Sequence, residues 1–235
     1  MPAKEFLLDD SITVKIFKRK GSRNLRLTIS PNGVVRVTIP AWAPYRSGFE
    51  FAKSRHNWII QNVSRPAQLV NDQPIGKAHR LSLKPIPSAT KVTSRLSDSV
   101  IVVKYPESLR PSDFDVQKVA ERASIKALRV QAEKLLPQRL SSLARVHGFE
   151  YSSVSIKRLK GRWGSCDQHK RIVLNLYLMQ VPWELIDYVL LHELVHTNVL
   201  KHGPPFWTMM ESVLPETKKR RKLLKNYQPI LDSPV

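Results

Sequence analysis

The chain has 235 residues, 42% hydrophobic and 25% charged, a balance that excludes a wholly disordered protein. No apolar run reaches the roughly 18–20 residues of a membrane-spanning helix, the opening MPAKEFLLDD lacks a secretory layout, and the lone Cys166 cannot form an internal disulfide. The expectation is a reduced, cytoplasmic setting with no membrane. Against 19 Asp and Glu stand 39 Lys and Arg, a net charge of +20, which names a polyanion (nucleic acid or nucleotide) as a possible partner through a basic surface.

Residues 1–10 read as a loose start, with a strand expected over 13–17. Leu25, Leu27 and Ile29 alternate with Arg26 and Thr28, and Val35, Val37 and Ile39 repeat the pattern after Pro31-Asn32-Gly33. Two alternating runs around such a turn predict a β-hairpin, closed by Pro40. Phe49, Ala52, His56, Ile59 and Val63 then fall on one helical face, predicting one helix over about 44–63. Residues 64–78 read as a loop. Strands are expected at 79–83, 91–96 and 99–105, with Pro85 and Pro87 in the first connection.

Ser112, Asp113 and Asp115 mark a helix start. Val116, Val119, Ala120, Ala123, Ala127 and Val130 recur at helical spacing; Pro137 is expected to kink or split the helix and Gly148 to end it. Short strands follow around Val154–Ile156 and around Ile172, Leu174 and Leu176. The organisation expected is a β-rich N-terminal region with one helix over 1–107 and an α+β domain over 108–235.

His192-Glu193-Leu194-Val195-His196 matches H-E-x-x-H inside an apolar segment that starts after Pro182. On a helix, positions i and i+4 share a face, so His192 and His196 can direct two imidazoles at one ion. Glu193 is rotated about 100° from His192 and can approach a metal-bound water without being a ligand. Neutral imidazoles suit Zn²⁺, which lowers the pKa of bound water toward about 7. Burying these polar groups without partners would cost several kcal/mol, an objection that a metal site removes. The spacing leaves the third ligand open among His202, Glu211, Glu216 and His169. An unbroken helix would carry His202 about 240° away from His196, so the chain must turn between Thr197 and Lys201, with Asn198 a candidate for left-handed backbone.

Several words around this motif occur in a fixed order: Arg162-Trp163-Gly164-Ser165-Cys166, Leu174-Asn175, Pro182, Tyr188 through His196, His202, and Phe206-Trp207. Together with the N-terminal Arg-Asn-Leu-Arg-Leu hairpin they resemble the YgjP-like metallopeptidase family, related to the WLM and SprT-like zincins, over roughly residues 20–226. The resemblance implies a zincin-like metallopeptidase core of α+β class, with His192, His196 and His202 on zinc and Glu193 catalytic. The first function expected is a zinc-dependent metallopeptidase that hydrolyses peptide or protein substrates through a metal-bound water activated by Glu193.

Arg162 is a candidate catalytic residue, facing an anionic substrate group or developing oxyanion, or else pairing with a carboxylate to hold its loop. Trp163 and Gly164 are expected to shape that loop. Cys166 is a fourth ligand, a redox switch or, as the favoured reading, a buried thiol. Asn175 either donates to a peptide backbone or fastens its strand. Phe206, Trp207 and Met210 are expected to pack under the site helix. Lys218, Lys219, Arg220, Arg221, Lys222 and Lys225 form either a polyanion grip or a solvated helical face. The strand over 171–177 is a candidate for edge pairing with an extended substrate. Two other functions remain open. One is a metal-dependent nucleotide phosphohydrolase or pyrophosphatase, which lacks a phosphate-cradling glycine loop; the other is a nucleic-acid-associated binding module with a protease core. The sequence leaves the oligomeric state open.

Overall fold

Alternating burial builds the N-terminal sheet. The computed structural model describes residues 3–9, 12–29, 34–62 and 68–227. Strands β1 (Lys4–Asp9), β2 (Ile12–Arg19), β3 (Arg26–Ile29) and β4 (Val35–Pro40) form one sheet in the order β1-β2-β4-β3. β1 and β3 are antiparallel to their neighbours, and β2 runs parallel to β4. Val14, Ile16, Val35, Val37 and Ile39 are fully buried on one face with Ala52 and Ile59 of the helices that cover it. Gly48 permits close approach of the first helix: a Cβ there would lie 2.9 Å from the Cγ2 atoms of both Ile16 and Ile39.

Two expectations change in this unit. The supposed loose start contains β1, held by antiparallel pairing from Lys4↔Ile16 to Asp9↔Ile12. The single helix is two, α1 (Tyr45–Ser54) and α2 (His56–Asn62), because the chain leaves helical geometry at Arg55 (φ −109°, ψ 16°). The hairpin of β3 and β4 is present, while its Pro31-Asn32-Gly33 turn and Val63 lie outside the described residues.

The second unit is built from Leu69–Leu231, the first from Met1–Gln68. The boundary expected near residue 107 therefore falls at 68/69. The reason is packing: strands β5 (Pro74–Ile75), β6 (His79–Ile86), β7 (Thr93–Leu96) and β8 (Val100–Pro106) bury Leu81, Leu83, Ile101 and Val103 in the same core as helix α3 (Phe114–His147). The sheet order is β5-β6-β8-β7. β6 runs on through Pro85, which pairs with Tyr105 of β8. β5 accompanies only Arg80 and His79, so Pro85 needs no donor on its other side.

α3 starts after Asp113 and ends at Gly148, whose φ of 69° is the left-handed conformation expected of a helix terminator. Pro137 does not split it. Leu128, Ala132, Leu136, Leu140 and Ala144 are buried on both sides of the proline and keep the helix continuous through the missing bond, while Glu133, whose carbonyl loses its donor, is exposed. A second sheet follows, β9 (Ser153–Lys157), β10 (Gly164–Cys166) and β11 (Arg171–Asn175), in the order β10-β11-β9. β11 is central, parallel to β9 and antiparallel to β10. Its expected role as a pairing edge is thus excluded, and the edge position belongs to β10. A 3-10 helix (Leu176–Gln180), α4 (Trp183–His196), α5 (Pro204–Val213) and α6 (Thr217–Leu224) complete the α+β unit.

α4 is buried on most sides: Leu185, Ile186, Tyr188, Val189, Leu190, Leu191, Leu194 and Val195 all lie in the core. Truncating one such leucine to alanine costs about 2–5 kcal/mol. Arg139 of α3 clasps Asp187 of α4 through two bonds of 2.8 and 2.6 Å. No helix among the described residues is long and apolar enough to cross a membrane.

Candidate metal centre

The last turn of α4 presents His192 and His196 one turn apart on one face. Thr197 closes the helix with its hydroxyl on the Leu194 carbonyl (2.7 Å), and the chain turns back before Gly203-Pro204-Pro205 starts α5. The turn does not use left-handed backbone at Asn198: the positive-φ residues other than glycine, among those described, are Asp72, Lys170 and Glu216. His202 is carried back over the helix. Its Nε2 lies 2.9 Å from His192 Nε2 and 3.1 Å from His196 Nε2.

At these separations His202 Nε2 is spaced from each of the other two as neighbouring ligands are around one ion at about 2.0–2.1 Å, and all three ligand atoms lie within 4.8 Å of one another. The tautomers agree. His196 Nδ1 is 3.1 Å from the Val199 carbonyl, an acceptor, so the ring carries its proton there and turns the Nε2 lone pair inward. His192 Nδ1 is buried without a hydrogen-bond partner among the described residues. Burial pushes the His192 imidazole down to about 3, helped by the charges of His196, His202 and Arg221, and burial also lowers His196. Both are therefore neutral ligand donors at ordinary pH. The donor set fits a divalent ion of the zinc type.

Phe206, fully buried, lies against all three rings, with centroids at 4.8 Å from His192, 4.5 Å from His196 and 4.7 Å from His202. Trp207 stacks on His202 at 5.9 Å and 24°. The Arg221 guanidinium lies 4.8 Å over the Trp207 ring. Of the basic run in the tail, Arg221 is thus folded against the site. Lys219 pairs with Glu216 (3.3 Å), and Arg220 donates to the Pro215 carbonyl.

Glu193 is 4% exposed, and its Oε2 has no hydrogen-bond partner among the described residues. Burial pushes its carboxyl up to about 8, while the positive charge of Arg162 pulls the other way. Gly164 of β10 faces this carboxylate at a distance that admits no side chain. Asn175 fixes the loop between: Nδ2 donates to the carbonyls of Leu159 (2.9 Å) and Arg162 (2.8 Å), and Oδ1 accepts from Tyr177 N–H (3.2 Å). The amide is fully used in fastening the loop. Arg162 itself is exposed, beside Glu193 in charge and not paired with a carboxylate among the described residues.

The other candidates lie elsewhere. Among the described residues, the group able to hold an ion is His192, His196 and His202. His169 sits in the turn after β10, its N–H on Asp167 Oδ1 (2.9 Å); Glu211 accepts the Glu216 N–H (3.1 Å). Cys166 is half-buried in β10, with its thiol directed to the Asp167 carbonyl (3.6 Å) and pushed up to about 11, first by burial and then by Glu193 and Asp167. Sequence reasoning missed Gly164 as the wall of the Glu193 pocket and Arg221 as a neighbour of the histidines. Only the close packing of β10 on α4 and of α6 on Trp207 reveals them.

The α+β core, the H-E-x-x-H helix and the returning histidine define a zincin-like metallopeptidase. The chain belongs to the YgjP-like metallopeptidase family, whose domain matches residues 23–227. Membership makes it a metal-dependent hydrolase of the peptidase class. No curated protein matches the chain. Among solved structures it is similar to the metallopeptidase zymogens jannalysin of Methanocaldococcus jannaschii (24% identity, TM-score 0.34, 39% of this chain and 93% of that one) and abylysin of Pyrococcus abyssi (24% identity, TM-score 0.35, 39% of this chain and 95% of that one).

Proposed function

We propose that the chain is a zinc-dependent peptidase in which His192, His196 and His202 hold the ion and Glu193 is the general base. The observation that carries this reading is the convergence of three imidazoles, His202 Nε2 lying 2.9 Å from His192 Nε2 and 3.1 Å from His196 Nε2 with all three ligand atoms within 4.8 Å of one another, beside a buried carboxylate with an unpartnered oxygen. A zinc ion supplies Lewis acidity to a scissile carbonyl and brings the pKa of water toward neutrality. Glu193 takes the proton from the attacking water and returns it to the leaving amine. Its buried Oε2, which has no hydrogen-bond partner among the described residues, leaves the carboxylate free to hold that proton between the two steps. Arg162 keeps a cation beside this carboxylate and faces the negative charge that develops on the substrate. An extended peptide pairs with the outer edge of β10, antiparallel or parallel, through backbone groups.

The test compares zinc-loaded wild type with Glu193→Gln on a denatured protein substrate. The variant keeps its zinc and loses at least about a hundredfold in turnover. Unchanged cleavage in the variant rejects the assignment. Phosphate release from nucleotides by the same preparation, with no peptide cleavage, reverses the choice of bond.

A further inference from the structure

The N-terminal sheet has a second face. The side chains that alternate with the buried ones point away from α1 and α2: Thr13, Lys15, Phe17 and Arg19 on β2, Arg36 and Thr38 on β4, Arg26 and Thr28 on β3, and Glu5 on β1. Register makes them one patch. Lys15 is level with Arg36, Arg36 with Thr28, Phe17 with Thr38, and Thr38 with Arg26. Four cations thus face one carboxylate, Glu5, which already pairs with Lys15 at 2.6 Å. Arg19, Arg26 and Arg36 are exposed and have no carboxylate partner among the described residues. The Arg36 guanidinium lies 4.3 Å over the Phe17 ring.

Like charges on neighbouring strands destabilise a sheet, so this grouping is a cost until an anion lies across it. We propose that this open face binds a single-stranded nucleic acid, with Lys15, Arg19, Arg26 and Arg36 on the phosphates and a base stacked on the Arg36 plane that Phe17 supports. The choice of occupant follows from the chemistry. A polyanion answers the charge, and the flat guanidinium-on-aromatic platform answers a planar base, which an acidic peptide does not offer. A duplex hides its bases, and a flat sheet face has no protruding helix or ribbon to enter a groove. The inference concerns a surface distinct from the histidine cluster and does not depend on the peptidase reading.

The experiment measures fluorescence anisotropy of labelled oligouridylate and oligothymidylate of about 12 nucleotides with the full chain. Three to four phosphate contacts on a single strand, at about −0.7 each in the log–log slope, weaken binding about 20- to 50-fold between about 50 and about 200 mM salt. Arg26→Ala with Arg36→Ala lowers that slope by about 1.4. Phe17→Ala weakens binding about 5- to 150-fold with the slope kept, and Phe17→Tyr restores it. An unchanged thermal midpoint in each variant keeps the comparison free of misfolding. Binding to either strand supports the proposal, and the ratio of the two reports contact with the 2′-hydroxyl. Salt-independent binding, equal affinity for a duplex, tighter binding of polyglutamate, or full affinity in Phe17→Ala overturns it.

Discussion

Gly164 and Glu193 share a space with no room for a further atom: a Cβ at Gly164 would stand 2.7 Å from Glu193 Oε1 and 2.9 Å from its Cδ and Cγ. The carboxylate is buried, so it has no open solvent to swing into. Gly164→Ala is expected to move it and to lower turnover about 10- to 100-fold, the scale of an ångström-sized misplacement. Metal content, measured by atomic emission, is expected to stay at the wild-type value because the three imidazoles are untouched.

Asn175→Ala removes the amide that ties together Leu159, Arg162 and Tyr177. Two carbonyls and an N–H lose their partner in a part-buried setting. The expected cost is about 1–3 kcal/mol, read by urea denaturation. Turnover falls with it, since the loop that carries Arg162 and leads into Gly164 is no longer fixed.

Cys166 is predicted to be a poor nucleophile. Its thiol is pushed up to about 11 from 9.0, so at pH 8 the folded chain holds about a hundredfold fewer thiolates than the unfolded one. Iodoacetamide is expected to label the native protein about that much more slowly than protein in urea. The folded chain binds this proton more firmly, so the associated stability is full below pH 9 and is lost as pH rises through about 11. Rapid native labelling at pH 8 contradicts this.

Glu121 of α3 has a carboxyl raised above its usual 4.5 by burial, against the opposing charges of Arg158 and Arg122, and its Oε1 is buried without a partner among the described residues. A raised carboxyl gives stability that is present below 4.5 and lost as pH rises through its folded value. Glu121→Gln removes the ion, and the thermal midpoint at pH 7 is expected to rise by up to about 2 °C. Calorimetry at falling pH is expected to show that advantage shrinking toward pH 4.5.

The site was readable from sequence where geometry is local. His192 and His196 are one helical turn apart, so their shared face follows from the 3.6-residue period alone. His202 was harder, because a turn outside the helix must deliver it, and Gly203-Pro204-Pro205 marks only that α4 cannot continue. Gly164 and Arg221 were out of reach: both act across elements distant in sequence. β10 spans three residues, Gly-Ser-Cys, too short to alternate, and β1 carries charges that hide its pattern. Pro137 misleads for a different reason. Its local cost is real, yet buried leucines on both sides of it outweigh one absent hydrogen bond. The domain boundary also depended on tertiary packing, since only contact with α3 assigns the strands after Leu69 to the second unit.

The ring of Phe206, lodged against all three imidazoles, has a consequence for handling the enzyme. A hydrophobic wedge fixes the donors by contact with carbon, which chelators do not disturb. Recharging a stripped centre should therefore proceed by simple encounter, first order in cation and first order in protein, and free of any slow refolding phase.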